Sequence, residues 1–142
     1  MKGFTLLECI LTLCLFSIVL TSTVSLYLTG YRMYRRQEHR VEVEENIMAV
    51  LNRISETLRR TDGLPDNISV SDNMLIIGDT KYYYMSGNIY ERIGFGTNNL
   101  GGNISLFEFS LEDDYLTLKI EGIGYLGEAT SSAEQVFFIG GE

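Results

Sequence analysis

From Phe4 to Tyr31 the chain carries one charged residue, Glu8, and from Cys9 to Leu28 it carries none over twenty consecutive positions. At ~1.5 Å per residue, a helix of that length matches the ~30 Å hydrocarbon core of a bilayer. After a charged segment the pattern becomes one-sided. Val43, Ile47, Val50, Leu51, Ile54 and Leu58 recur three and four apart, which is the stripe of a helix with a single buried face. Arg59 and Arg60 suit the negative end of that helix, Gly63 is placed to close its last turn, and Pro65 prevents continuation. The pattern predicts one helix from Phe4 to about residue 61, ~85 Å long, with Gly30 as the obvious position for a break.

Beyond Pro65 the period changes to two. Ile68–Val70, Met74–Ile77, Lys81–Met85 and Asn88–Arg92 are short β-prone runs separated by turn residues, and they predict an antiparallel meander. Ile104–Leu111 and Tyr115–Ile120 flank Glu112-Asp113-Asp114 as a hairpin, and a last strand is expected over Glu134–Ile139. Gly94–Asn103 and Gly122–Ala133 are expected to be long loops. The apolar face of the sheet must then pack on the Val43–Leu58 stripe. The fold class is α+β, a long N-terminal helix whose first half is transmembrane and whose second half covers an antiparallel sheet. Residues 4–31 form the membrane half of the helix, 32–61 the amphipathic half, and 62–142 the sheet domain.

Composition supports one modest core, since 45% of the 142 residues are hydrophobic and nine Tyr and seven Phe are among them. Charge is uneven along the chain. Residues 61–142 hold Lys81, Arg92 and Lys119 against thirteen acidic residues, a net charge of −10, whereas residues 1–60 come to +2. An acidic domain repels phosphate backbones, so direct nucleic-acid binding by it is not expected. Both cysteines, Cys9 and Cys14, lie in the apolar run at a spacing that points them to different faces, which precludes a bridge between them.

Glu8 is the informative exception in the apolar run. A carboxylate within hydrocarbon costs on the order of 3 kcal/mol near the bilayer centre and less towards an interface, so it asks for a cation. The string Lys2-Gly3-Phe4-Thr5-Leu6-Leu7-Glu8 resembles the type III signal of type IV prepilins and type II secretion pseudopilins. That resemblance implies a leader of residues 1–3, cleavage between Gly3 and Phe4 by a membrane-embedded prepilin peptidase, and N-methylation of Phe4. It also implies that Glu8, with Thr5 beside it, serves assembly by facing the terminal amine of a neighbouring subunit. An amine of pKa ~8 stays cationic, and opposite charges attract strongly at low dielectric. Phe4 and Glu8 are also i and i+4 on one helix, so neutralisation by the chain's own terminus is the competing arrangement. The run Lys81–Arg92, a hairpin ending in an aromatic residue and an arginine, is similar to the sheet of J-type pseudopilins and of W-type or competence F-type minor pilins.

Other readings of this terminus fit less well. A cleavable secretory signal wants a richer basic region, a shorter apolar core and a small-residue cleavage site. Lipidation of Cys9 would need a small residue where Glu8 stands. Positive-inside counting does oppose the family's topology, because Arg32, Arg35, Arg36 and Arg40 follow the span while the leader offers Lys2 and the terminal amine. The resemblance implies the reverse, a single-pass protein of the cytoplasmic membrane with its C-terminal domain outside the cytoplasm, later carried to the surface in a pilus or pseudopilus.

Arg32, Arg36 and Arg40 are four apart on one helix face, and Glu38, Glu42 and Glu45 gather roughly opposite. They read either as a solvated neck with arginines touching lipid headgroups or as two stripes that meet complementary stripes on adjacent subunits. Site chemistry is otherwise thin. His39 is the single histidine, with no cysteine near it, so neither a metal centre nor acid–base catalysis is expected. Gly94–Gly102 lacks the lysine and following helix of a phosphate cradle and reads as a flexible loop. Glu112-Asp113-Asp114 reads as a solvated turn in preference to a calcium loop, and Tyr82, Tyr83 and Tyr84 as split between core and surface. No catalytic constellation is present and no cofactor is expected. The expectation is therefore a non-enzymatic minor pilin or pseudopilin whose partners are the prepilin peptidase, other pilins and the inner-membrane assembly platform. The alternative is a signal-anchored monomeric binding or sensor domain.

Overall fold

The computed structural model describes residues 5–61, 67–71, 73–124, 127 and 129–140. Gly3, Phe4, Gly63 and Pro65, on which the cleavage, methylation and helix-stop expectations fall, lie outside them. One helix, α1, runs Leu6–Arg60, and Arg59 and Arg60 occupy its last turn as the dipole favours. The Thr61 amide closes that turn on the carbonyls of Thr57 and Leu58 at 3.1 and 3.3 Å. Gly30 lies within the continuous helix. By its contacts the chain falls into two compact units, Met1–Gln37 and Glu38–Glu142.

The first unit is apolar helix with its side chains uncovered. Leu6, Leu7, Leu11, Phe16, Val19 and Leu26 are each more than half exposed. Most serine and threonine hydroxyls here are satisfied internally: Ser17, Thr21, Ser22, Thr23 and Thr29 each donate to the carbonyl four residues back at 2.8–2.9 Å. Such back-bonding hides the polar atoms and leaves a surface suited to an apolar medium.

The second unit has its own core. Strands β1 (Ile68–Ser71), β2 (Met74–Ile77), β3 (Thr80–Met85), β4 (Asn88–Ile93) and β5 (Gly96–Gly101) form an antiparallel sheet in sequential order. Strands β6 (Ile104–Glu112), β7 (Tyr115–Ile123) and β8 (Ala129–Phe138) form a second antiparallel sheet, also sequential. The two are stitched together by the Ile104 amide on the Gly87 carbonyl at 3.0 Å and by the Tyr84 hydroxyl on the Ile104 carbonyl at 3.1 Å. All six stripe residues, Val43, Ile47, Val50, Leu51, Ile54 and Leu58, are buried in one cluster with Leu75, Ile77, Tyr82 and Ile89 of the first sheet and Leu116, Leu118 and Ile120 of the second.

Two glycines let the helix approach the strands. A Cβ at Gly122 on β7 would stand 2.0 Å from Val43 Cγ1, and one at Gly101 on β5 would stand 3.2 Å from the Asn46 backbone oxygen. Backbone replaces side chain where the layers meet most closely.

Three expectations change. The single sheet is two sheets sharing a core. The glycine-rich stretch expected as a flexible loop contains β5, which pairs Asn99 with Tyr90, Asn98 with Glu91 and Thr97 with Arg92. Its residues are exposed up to Asn99, so no alternation of apolar and polar positions marks it. The second expected loop is shortened at both ends, because β7 continues to Ile123 and β8 begins at Ala129, pairing Ser131 and Ser132 with Gly122 and Glu121.

Candidate functional site

Thr5 stands immediately before the first helical residue and Glu8 at the third helical position, the spacing of a capping box. The geometry is reciprocal. The Thr5 amide and hydroxyl donate to Glu8 Oε2 at 2.9 and 3.0 Å, and the Glu8 amide donates to Thr5 Oγ1 at 3.4 Å. Glu8 thus satisfies donors at the positive end of the helix dipole. Both bonds engage Oε2, and Oε1 has no partner among the described residues. Thr5, expected to accompany Glu8 in assembly, is its direct hydrogen-bond partner within the chain. Cys9 and Cys14 are exposed free thiols on the same helix.

The neck residues fall in both units. Arg32 and Arg36 are exposed in the first. In the second, Glu38, Glu42 and Glu45 are exposed, Arg40 Nε pairs with Glu44 Oε1 at 2.9 Å, and His39 Nδ1 lies 3.7 Å from Glu42 Oε2. Ser131 on β8 reaches the same Glu44 oxygen at 3.5 Å.

The most organised polar cluster is one that sequence reasoning did not single out. Glu91 on β4 is 1% exposed, flanked across the sheet by Tyr82 on β3 and Asn98 on β5. From α1, Arg53 donates Nε to Glu91 Oε1 at 2.7 Å and Nη2 to Oε2 at 3.2 Å, a bidentate grip. The Tyr82 hydroxyl donates to Glu91 Oε1 at 3.1 Å and lies 2.6 Å from Thr57 Oγ1, and Asn98 Nδ2 reaches Glu91 Oε2 at 3.4 Å. Arg53 Nη1 also meets Glu56 Oε2 at 3.1 Å, and Arg60 meets the other Glu56 oxygen at 2.6 Å. Burial pushes the Glu91 carboxyl up. Hydrogen bonds from Arg53, Asn98 and Tyr82, with the guanidinium charge, outweigh that and hold it below the usual carboxylate range. Burial pushes the Tyr82 phenol up to about 12. Every member of this network is engaged by another, so it pins helix to sheet.

Period two was the available signal for it. Ile89 is fully buried, and Glu91, two residues on, must share its face. On the helix, Arg53 flanks Ile54 at the border of the buried stripe.

Elsewhere Lys119 Nζ pairs with Glu121 at 2.9 Å, and that contact, joined by the charges of Glu108 and Glu134, raises its pKa. Asp113 takes a left-handed φ of 49° in the tight β6–β7 turn. Among the described residues no three His, Cys, Asp or Glu side chains converge as a metal centre. Tyr82 is fully buried while Tyr83 and Tyr84 are half-buried, and Tyr83 stacks on Tyr90 with ring centroids 5.5 Å apart. The fold and these sites define a class, an α+β domain on an apolar helix long enough to cross a membrane. No protein-family model, curated protein or solved structure matches the chain.

Proposed function

We propose that this chain is a minor pilin or pseudopilin, a structural subunit cut after Gly3 by a prepilin peptidase and methylated at Phe4. It rests in the cytoplasmic membrane with residues 38–142 outside the cytoplasm. From there it is drawn into a type IV pilus or type II secretion pseudopilus, at the tip or initiation complex. The observation that carries this reading is the uncovered apolar helix with one carboxylate in its first turn. A helix apolar on all sides needs lipid or other such helices around it. A bundle of them supplies apolar packing, and Glu8 sets the register by meeting a neighbour's amine. The capping bonds to Thr5 leave Glu8 Oε1 available for that amine, so cap and intersubunit ion pair are compatible in one conformation. Arg32, Arg36, Arg40, Glu38, Glu42 and Glu45 are then candidate contacts with adjacent subunits.

Mass spectrometry of the mature amino terminus is the direct test. A methylated Phe4 is expected, and an intact leader would end the reading. Glu8→Ala should insert normally and fail to assemble; normal filaments from that variant would remove Glu8 from the mechanism. The reciprocal bonding of Thr5 and Glu8 favours a second reading, in which the helix only tethers a monomeric binding or sensor domain and Glu8 is a cap. That reading expects an uncut leader and indifference to Glu8.

A further inference from the structure

Where the apolar run ends, two side-chain types change together. Tyr27, Tyr31 and Tyr34 are 71%, 53% and 63% exposed, and at ~100° per residue their spacings of four and three place them within a ~60° arc of the helix. Arg32, Arg35 and Arg36 follow on the adjoining arc, all exposed. Tyrosines with a buried ring and a wet hydroxyl belong at the boundary between hydrocarbon and headgroups. Arginines interleaved with these tyrosines and immediately after them reach phosphates, and guanidinium groups grip them bidentately.

Counting back from this boundary gives the other. Twenty residues at ~1.5 Å cover the ~30 Å of hydrocarbon, so with Leu28 at one edge Cys9 stands at the other. The Thr5–Glu8 capping box then falls at the hydrocarbon edge, where a carboxylate costs less than at the bilayer centre.

We infer that the segment Tyr27–Arg36 is an anionic-phospholipid site: Tyr27, Tyr31 and Tyr34 line the hydrocarbon boundary, and Arg32, Arg35 and Arg36 bind lipid phosphate of net negative headgroups. The occupant is chosen by charge. Three cations sit within five positions with no acidic residue among them, which favours phosphatidylglycerol over zwitterionic phosphatidylcholine. The inference requires the helix to lie in a bilayer and is independent of filament formation. A tethered monomer would show it equally.

The sequence contains no tryptophan, so Tyr31→Trp and Phe16→Trp each introduce a single probe into the full chain. In vesicles of mixed phosphatidylglycerol and phosphatidylcholine, lipids brominated near the headgroup should quench the probe at position 31 most. Lipids brominated near the chain ends should quench the probe at position 16 most. Native mass spectrometry from mixed-lipid nanodiscs should retain phosphatidylglycerol in preference to phosphatidylcholine. Each of Arg32→Gln, Arg35→Gln and Arg36→Gln should lower that preference about fivefold, and the matching lysine variants should restore most of it. Equal retention of the two lipids overturns the headgroup assignment. Deep quenching of the probe at position 31 overturns the depth.

Discussion

The two halves of α1 are built from similar apolar residues and meet opposite fates. Leu6, Leu11, Phe16 and Leu26 stand 62–80% exposed, whereas Val43, Ile47, Val50 and Ile54 are at most 2% exposed. Spacing is what separates them. In the second half apolar residues keep to one stripe, and the protein folds its own sheets over that stripe. In the first half they surround the helix, and no single face of a small domain would cover them all. Hydrophobic content therefore says that burial is needed, and period says whether the chain can provide it for itself. Polar groups follow the same division. Among the described residues Glu8 engages only its own first turn, while Glu91 is enclosed by partners from one helix and two neighbouring strands.

The largest way to break this contrast is at the enclosed pair. Arg53→Ala leaves Glu91 buried without its cation and should destabilise the 38–142 unit by about 3–5 kcal/mol, read by denaturant unfolding of the full chain in detergent. A loss under about 1 kcal/mol would mean that Tyr82 and Asn98 suffice to satisfy the carboxylate. Gly122→Ala tests the close crossing of helix and strand: the added Cβ collides with Val43, and a loss of about 1–3 kcal/mol is expected. Combining it with Val43→Ala should recover part of that loss, because the obstructing atom is gone.

Two pH dependences sharpen the picture with smaller effects. Glu91 has its folded pKa depressed, so its contribution is complete above the ordinary carboxylate value of ~4.3 and fades as pH falls through the folded value. Acid unfolding of wild type should begin in that window, and Glu91→Gln, already weaker at neutral pH, should lose less stability across it. Tyr82 has its folded pKa raised, so its contribution is complete below ~10 and is lost as pH rises through about 12. Tyrosinate absorbance should show a late-titrating phenol that is absent in Tyr82→Phe. The smallest effect is expected at the other end. Thr5→Ala should fray the first turn of α1 in hydrogen exchange while leaving the unfolding midpoint of the 38–142 unit unchanged. A shifted midpoint would show that the two regions are not energetically separate.

Several features of the site were written plainly in the chain, some of them in a form easily passed over. The Thr5-x-x-Glu8 spacing is itself a capping-box signature, yet the carboxylate's isolation in an apolar run draws attention to distant cations before the adjacent hydroxyl. Glu91 was accessible through its parity with Ile89, although parity does not say which helical residue will arrive opposite. β5 was hidden for a different reason. Gly96, Thr97, Asn98 and Asn99 bury almost nothing, and they are held by backbone pairing to β4 and by Asn98 on Glu91.

Local pattern alone settled the apolar helix, the Val43–Leu58 stripe, the β-meander and the Glu112–Tyr115 turn, because helical and strand periods are short-range consequences of backbone geometry. Folding decided that the strands divide into two sheets, that Gly101 and Gly122 lie under the helix, and that Arg53 meets Glu91 across 38 residues of sequence. Those outcomes depend on which surfaces come together, and a pairing between distant residues leaves no periodic trace in either partner.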